Sequence, residues 1–356
     1  MQSTIIAGVW IWSLWKPERN LFFNSFFITR PDGNLAIDPL PLSDADAREI
    51  EAHGGLAWVV ITNRDHERDA RAVAARFGAK IAASAPDVET LSGPVDRGLA
   101  HGDEIGGALV FVLDGFKTPG ECALCFSDLQ TVVLGDALWG APAGSLQLMP
   151  GDKLADPRRA ALSLRAIAAM WPNHLLVGDG ACIFGNAKAE IWKTLDALGI
   201  PEMRVTSIDD ARFRPFANEP NGFGGAAFEV GDLLGAEKLG YRVARIDSGS
   251  AFCPLHWHTL EEELFFVMRG RATLVTPHGS LAVRAGDFLQ FPTTAVGAHK
   301  VFNDSPEPCE ILMIACNDRN DVCSYPDSHK VLVDGRGGLM LRDHPALEYY
   351  DGEVAR

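Results

Sequence analysis

His256-Trp257-His258 places two imidazoles one residue apart, with Glu263 five positions after the second and Gly270 beyond it. Side chains on a strand alternate with a period of two, so these histidines point to one face of an extended segment and can grip one ion together. Glu263 has the wrong parity to share that face on an unbroken strand. The spacing therefore predicts a bend over Thr259 to Glu262 that returns the carboxylate to the pair, and Arg269-Gly270-Arg271 reads as a hairpin turn. Further on, Gly286-Asp287 opens a predicted strand from Phe288 to Phe291, ended by Pro292, and His299 lies on the next strand, four residues before Asn303. His256, His258, Glu263 and His299 thus form one candidate metal set. Three imidazoles and a carboxylate suit Fe, Mn, Ni, Co or Zn and leave one or two positions open on a six-coordinate ion, where a substrate oxygen or dioxygen can enter. Only neutral imidazoles bind, so affinity is expected to weaken below roughly pH 6.

The residues around this set read in two ways. Phe265, Val267 and Phe291 alternate toward the ion and give an apolar lining that suits a small organic ligand, whereas Phe266 and Met268 face away, against a second sheet or subunit. A homodimer is the expectation. Glu261 and Glu262 read as solvated strand-edge carboxylates, and Cys253, three residues before His256, as a core residue on the opposite face of a regular strand.

These side chains need an all-β support, and the sequence predicts one. From Tyr241 onward it shows short runs separated by turns: Tyr241 to Ile246, Phe252 to His258, Glu263 to Met268, Ala272 to Thr276, Ser280 to Val283, Phe288 to Phe291, Ala298 to Phe302 and Ile311 to Ala315. Eight strands with no helix between them imply a β-barrel or jelly roll. The first part of the chain is different. Residues 1–205 alternate strands and helices, with helices expected over Asp44 to His53, Glu67 to Phe77, Asp156 to Met170 and Asn186 to Leu198, and with polar residues after buried strands at Asn63-Arg64-Asp65-His66, Gly135-Asp136 and Gly178-Asp179-Gly180. Residues 206–226, rich in Pro, Asn and Gly, read as a linker. The barrel spans 227–335, and 336–356 form a C-terminal tail; the segment from Asn317 on, with Tyr325-Pro326-Asp327-Ser328, reads as polar and turn-rich.

The C-terminal spacing resembles the cupin superfamily. Its two motifs are matched at His256, His258, Glu263, Gly270, Gly286, Pro292, His299 and Asn303, with about two extra residues between Pro292 and His299. Some single-domain cupins carry a similar Tyr-Pro-Asp-Ser segment, a strap over the barrel or a dimer contact. The N-terminal order resembles the metallo-β-lactamase fold, an αββα sandwich. Its signature is answered here by Thr62-Asn63-Arg64-Asp65-His66, Lys117-Thr118-Pro119-Gly120, Gly135-Asp136 and Gly178-Asp179-Gly180. Both members of that family's His-x-His pair are missing, and its turn histidine is replaced by Phe116 or Lys117. The resemblance leaves Asp65, His66, Asp136 and Asp179 as the remnant of one metal position, able to hold a second divalent ion; otherwise Asp65 caps the following helix and the two later aspartates stabilise turns.

Composition bounds the function. At 356 residues the chain exceeds one usual core. A formal charge of -15 speaks against nucleic acid and anionic membranes and for a small-molecule substrate. The apolar opening Thr4 to Trp15 is too short to span a bilayer and reads as a strand. Seven cysteines, odd in number and set in apolar segments, imply reduced thiols and a cytoplasmic location; Cys122-Ala-Leu-Cys125 has redox spacing but falls inside a predicted strand. The expectation is a metal-dependent cupin enzyme acting on a small organic substrate, dioxygenase-type oxidation first. The alternatives are a cupin isomerase or lyase, a non-catalytic sensing protein, and a hydrolase built on the N-terminal remnant.

Overall fold

The computed structural model describes residues 1–216, 219–220, 222–333, 338–343 and 345. The chain divides into two compact units, Met1–Val205 and Thr206–Arg356. Among the described residues no helix is long and apolar enough to cross a membrane.

In the first unit a seven-stranded sheet runs in chain order from Gln2–Ser3 through Val9–Lys16, Leu21–Ile28, Leu35–Ile37, Trp58–Ile61 and Lys80–Ser84 to Arg97–Leu99. A six-stranded sheet orders Ile183–Phe184, His174–Val177, Thr131–Leu134, Cys122–Phe126, Ala108–Val112 and Glu104–Ile105. The period of two sorts each strand between layers. Phe26, Ile28, Ile37 and Val60 meet Val110, Leu124, Phe126, Val133 and Leu176 between the sheets. Their neighbours Phe27, Ala36, Val59 and Ile61 face outward onto Ile50 and Val73 of the helices Asp44–Ala52 and Ala70–Phe77. Ala123, Val132 and Leu175 likewise face Leu164 and Ile191 of the helices Pro157–Ala168 and Ala187–Asp196. Both sheets are apolar on both faces, so each needs a helical cover, and the four-layer αββα sandwich follows. The strands Leu35–Ile37, Trp58–Ile61 and Lys80–Ser84 are parallel, as are Thr131–Leu134 and His174–Val177. Their carboxyl ends carry Asp38, Thr62, Gly135-Asp136 and Gly178-Asp179 to one edge.

The second unit is built of strands. One sheet orders Arg214–Pro215, Gly225–Phe228, Leu239–Ile246, Cys309–Cys316, Glu263–Arg269 and Phe288–Phe291; a second orders Ser250–Ala251, Lys300–Asn303, Arg271–Thr276 and Gly279–Arg284. Ala244, Ile246, Phe265, Val267, Ile311 and Met313 of the first pack against Ala272, Val283 and Val301 of the second. Gly270 is therefore a corner between sheets and not the hairpin turn expected. Its φ is 81°, and a side chain there would press on the Pro308 carbonyl, so glycine is required.

Three further expectations change. The run Phe252 to His258 is strand only over Trp257–His258, and a separate short strand, Ser250–Ala251, ends just before it. The segment expected to be a linker supplies an edge strand, Arg214–Pro215, and the start of its neighbour, Gly225–Phe228, although 217, 218 and 221 lie outside the described residues. Gly225 fits because any Cβ would strike the Arg245 carbonyl. The stretch after Asn317 is not a loose series of turns. Val322–Tyr325, Lys330–Val333 and Leu339–Arg342 form a sheet whose first strand pairs with Trp257–His258, so the tail backs the histidine strand; 344 and 346–356 lie outside the described residues.

Candidate metal centre

His256 and His299 face each other as an antiparallel pair, each amide donating to the other's carbonyl at 3.1 and 2.9 Å. That register sets both imidazoles on one side of the barrel. The strand Glu263–Arg269 brings Glu263 opposite Phe291 and Ala315 and aims its carboxylate at the same point. Glu263 Oε2 lies 3.8 Å from His256 Nε2, 3.6 Å from His258 Nε2 and 3.4 Å from His299 Nε2. Two donors bound to one ion at about 2.1 Å stand about 3.0–3.4 Å apart for octahedral or tetrahedral angles. A contraction of a few tenths of an ångström would close His256, Glu263 and His299 on a cation, with His258 reaching the group at Glu263.

The second nitrogen of each ring is already engaged. His256 Nδ1 donates to the Pro254 carbonyl at 3.0 Å, His299 Nδ1 to the Gly297 carbonyl at 2.9 Å, and His258 Nδ1 to Asp321 Oδ2 at 2.7 Å. Hydrogen bonds at Nδ1 fix the tautomer and turn each Nε2 inward. The loop with its extra residues, Pro292 to His299, has a function here: its Ala295–Gly297 turn presents the carbonyl that His299 needs. Phe291 stacks on His299 at 3.5 Å and 8°, and Phe265 meets it edge-on at 5.3 Å, which holds the ring in plane. Phe265, Val267 and Phe291 all lie in the core as expected.

Glu263 Oε2 and His299 Nε2 are both buried without a hydrogen-bond partner. An unsatisfied buried polar atom costs about 1–3 kcal/mol, and a divalent ion between these two would satisfy both. Electrostatics point the same way. Burial and the neighbouring His258 push His256 down to about 4, and burial and His256 push His299 down to about 3, so both imidazoles are neutral near pH 7. Burial also lowers His258, but Cys323, Glu263 and Asp321 outweigh it and raise it to about 10. Burial lifts Glu263 to about 6, against the pull of His258. The onset near pH 6 read from the sequence therefore does not apply to His256 and His299. The proton that an ion must displace sits on His258.

Sequence reasoning missed Asp321, Cys323 and Tyr325 as parts of this site and misplaced Cys253. Asp321 is buried, takes the His258 proton donor and also accepts from Thr259 Oγ1 at 3.1 Å and the Leu260 amide at 2.8 Å, which shapes the bend before Glu263. It stands in a segment read as tail, with no local signal. Because the chain around Cys253 leaves the strand, its sulfur turns to within 3.5 Å of His256 Nδ1 and is not on the opposite face. The Cys323 sulfur lies within 4.8 Å of ring nitrogens of His256 and His258, and the Tyr325 ring stacks on His256 at 6.0 Å. Glu261 is not a solvated edge carboxylate. It accepts from the Asp318 amide at 2.9 Å, whereas Glu262 is exposed to solvent enough to pair with Gln290. Replacing Asp321 with alanine should weaken metal affinity about 10–100-fold by releasing His258, and calorimetric titration with Zn(II) or Co(II) reads it directly.

In the first unit, His66, Asp136 and Asp179 converge within 4.8 Å, but Asp65 turns away to pair with Lys117. Asn63, not Asp65, caps the turn Arg64–His66 with its side chain. His66 Nδ1 donates to Asp38 Oδ2 at 2.8 Å, and its Nε2 lies 3.2 Å from Asp136 Oδ1. The Arg68 guanidinium enters the group, 3.1 Å from His66 Nε2 and 3.5 Å from Asp179 Oδ1. Burial and Arg68 lower the His66 pKa, but Asp38 and Asp136 overcome them and hold it at about 10. The Arg68 guanidinium stands where a cation would meet His66 Nε2 and Asp179, so a metal ion could enter this cluster only if Arg68 moved away. Asp38, Arg68 and the buried Glu121, which accepts from Asn63 and from the Asp136 and Ala137 amides, were all missed from the sequence.

A four-layer αββα sandwich followed by a β-barrel with a His/Glu cluster defines a class of two-domain protein with candidate metal-binding sites. A profile described as Metallo-beta-lactamase superfamily matches residues 1–198 and one described as Cupin domain matches 242–315. The chain belongs to the metallo-beta-lactamase superfamily and carries a C-terminal cupin domain. It is 30% identical over 213 residues to a hydroxyacylglutathione hydrolase from Acidiphilium cryptum (strain JF-5), covering 54% of this chain and 84% of that protein. Among solved structures it is similar to a sugar phosphate isomerase of the cupin superfamily from Silicibacter pomeroyi (20% identity, TM-score 0.37, 41% of this chain and 98% of that one). It is also similar to a metallo-beta-lactamase from Pontibacter korlensis (15% identity, TM-score 0.45, 55% and 97%).

Proposed function

We propose that the C-terminal domain holds one divalent transition metal on His256, His258, Glu263 and His299 and acts on a small organic substrate beside it. The observation that carries this reading is the pair of buried, unpartnered atoms, Glu263 Oε2 and His299 Nε2, that face each other at 3.4 Å. Fe, Mn, Ni, Co and Zn all accept this donor set. The ion would supply Lewis acidity and open coordination positions. The chain's own contribution is positioning. Asp321 and the two carbonyls orient the rings, Phe265 and Phe291 exclude water, and Tyr325 closes one side.

Oxidation by dioxygen is the first reading, because an apolar, histidine-rich pocket with open positions suits it. Isomerisation or elimination is the second, favoured by Tyr325: its phenol stands beside Cys323 and near Glu263, and burial with these neighbours keeps it protonated, able to hydrogen-bond a substrate oxygen. The metal-loaded protein is expected to consume oxygen in the presence of a substrate from a metabolite panel, and His256→Ala is expected to abolish this. Conversion without oxygen uptake selects the isomerase or lyase. Binding with no conversion of any compound would defeat the enzymatic reading and leave a sensor. A hydrolase built on the first unit predicts the reverse pattern, activity lost in Asp136→Ala and kept in His256→Ala. The guanidinium and ammonium groups at that site argue against it. The chain is further proposed to act in the cytoplasm as a homodimer, in which the half-buried Phe266 and the exposed Leu264 and Phe288 of one sheet face would be covered.

A further inference from the structure

The strand Val322–Tyr325 lies outside both motifs through which the chain resembles the cupins, yet it forms one wall of the metal centre. Its register sets Ser324 opposite Trp257 and Cys323 opposite His258. Directly opposed residues of an antiparallel pair project to the same face, with Cβ atoms about 4.5–5.5 Å apart, and the face alternates along each strand. Cys323 therefore shares the side of His258, Ser324 that of Trp257, and Tyr325 returns to the side of His256, on whose ring it stacks at 6.0 Å. Cys323 is a free thiol, only 4% exposed. Its sulfur and one ring nitrogen each of His256 and His258 all lie within 4.8 Å of one another. A second group of three, His256, Glu263 and His299, shares His256, and His258 Nε2 reaches it at 3.6 Å from Glu263 Oε2. Five donors thus border one space. That this space is built for a ligand is shown independently by His299, 1% exposed, whose Nε2 has no partner and faces Glu263.

We infer that Cys323 binds the ion of this centre as a thiolate, a fifth donor beside His256, His258, Glu263 and His299; the inference rests on the metal reading proposed for this domain. On binding, the S–H bond breaks, its proton leaves to solvent and a metal–sulfur bond forms, with no electron transferred and no oxidant required. Bonds of about 2.3 Å to sulfur and about 2.1 Å to nitrogen place such donors about 3.1–3.6 Å apart, so the sulfur closes on the ion by moving less than about 2 Å. Two consequences follow from the chemistry of sulfur and from the donor count. A thiolate is soft, so the centre favours Zn(II) over the harder Mn(II). Five protein donors leave a six-coordinate ion one open position, so a substrate meets the metal through a single atom and not as a chelate. Cys253 does not share this role. Its sulfur lies 3.5 Å from His256 Nδ1, the nitrogen committed to the Pro254 carbonyl, and not beside the inward Nε2.

Absorption spectroscopy of the full-length protein, reduced and loaded with Co(II), tests it. The unmodified chain is expected to show the visible bands of bound cobalt together with an intense thiolate-to-cobalt charge-transfer band in the near ultraviolet. Cys323→Ser should keep the bound cobalt and lose the charge-transfer band, whereas Cys253→Ser should keep both. In competition titrations Cys323→Ser should narrow the preference for Zn(II) over Mn(II) about tenfold or more. X-ray absorption at the zinc edge of the unmodified Zn(II) protein needs no variant and decides the matter even where Cys323→Ser does not fold: one sulfur neighbour at about 2.3 Å is expected. Cobalt bound without the charge-transfer band, zinc with only nitrogen and oxygen neighbours, or a band that survives Cys323→Ser and vanishes in Cys253→Ser would overturn the thiolate assignment while leaving the histidine and glutamate site intact. A protein that takes up neither cobalt nor zinc would overturn both.

Discussion

The His299→Ala protein is expected to leave purification without the divalent ion that the unmodified chain retains. The loss should exceed the roughly 10–100-fold drop that accompanies removal of an outer partner such as Asp321, because here a donor itself is gone. Elemental analysis gives the stoichiometry and titration with Co(II) or Zn(II) the affinity. The backbone pairing of positions 256 and 299 does not involve the imidazole, so the register of the two strands is kept, and thermal denaturation of the ion-free proteins serves as the control. The sign of that control is itself informative. In the ion-free protein the His299 Nε2 is a buried orphan, and its removal partly offsets the loss of stacking on Phe291. An ion kept at full stoichiometry by His299→Ala would refute the assignment of this residue, and with it the reason for the buried, unpartnered Glu263 oxygen.

The largest stability effect is expected at a residue of the other unit. Asp38 is fully buried and accepts from the Thr62 amide at 2.8 Å, the Thr62 hydroxyl at 2.6 Å and His66 Nδ1 at 2.8 Å. Removing one partner of a buried charge pair costs about 3–5 kcal/mol, because the other is left desolvated and uncompensated. Asp38→Ala should therefore lower the melting temperature of the first unit by about 6–20 °C. Position 38 also has φ 48°, which aspartate and asparagine tolerate better than alanine, so Asp38→Asn should recover part of the loss. The effect depends on pH in a defined sense. His66 is raised in the folded state from 6.5 to about 10, so the stability its charge confers is complete below about pH 6.5 and is lost as pH climbs through 10. The difference between wild type and Asp38→Ala should narrow over that window. A melting temperature unchanged by Asp38→Ala would mean that the Asp38–His66 contact contributes nothing to the fold.

Much of both architectures was legible in the sequence, because hydrophobic periodicity is a local property. The strands Glu263–Arg269, Arg271–Thr276 and Phe288–Phe291 fall on the runs that predicted them, and the helix Asp44–Ala52 begins after its capping Ser43. The runs gave alternating strands and helices followed by an all-β barrel, and the resemblance of the motifs to two families implied the αββα sandwich and the cupin. What failed did so for lack of a local signal. The strands after Asn317 are amphipathic at best, and their pairing with Trp257–His258 depends on a partner more than 60 residues away. Cys253 was placed on the wrong face because the strand period was assumed to continue through residues that leave the sheet.

The sequence by itself determined that three histidines and a glutamate would be offered on a β framework, since residue types and parity are written into the chain. It also determined that the N-terminal fold lacks most of the histidines of its relatives. Only the tertiary structure decided what stands around those groups: that Asp321 and two carbonyls turn the imidazoles inward, and that Arg68 and Lys117 lie among the N-terminal carboxylates. The physical reason is that a donor's identity is local, whereas its charge state, orientation and partner depend on burial and on side chains brought from distant parts of the chain.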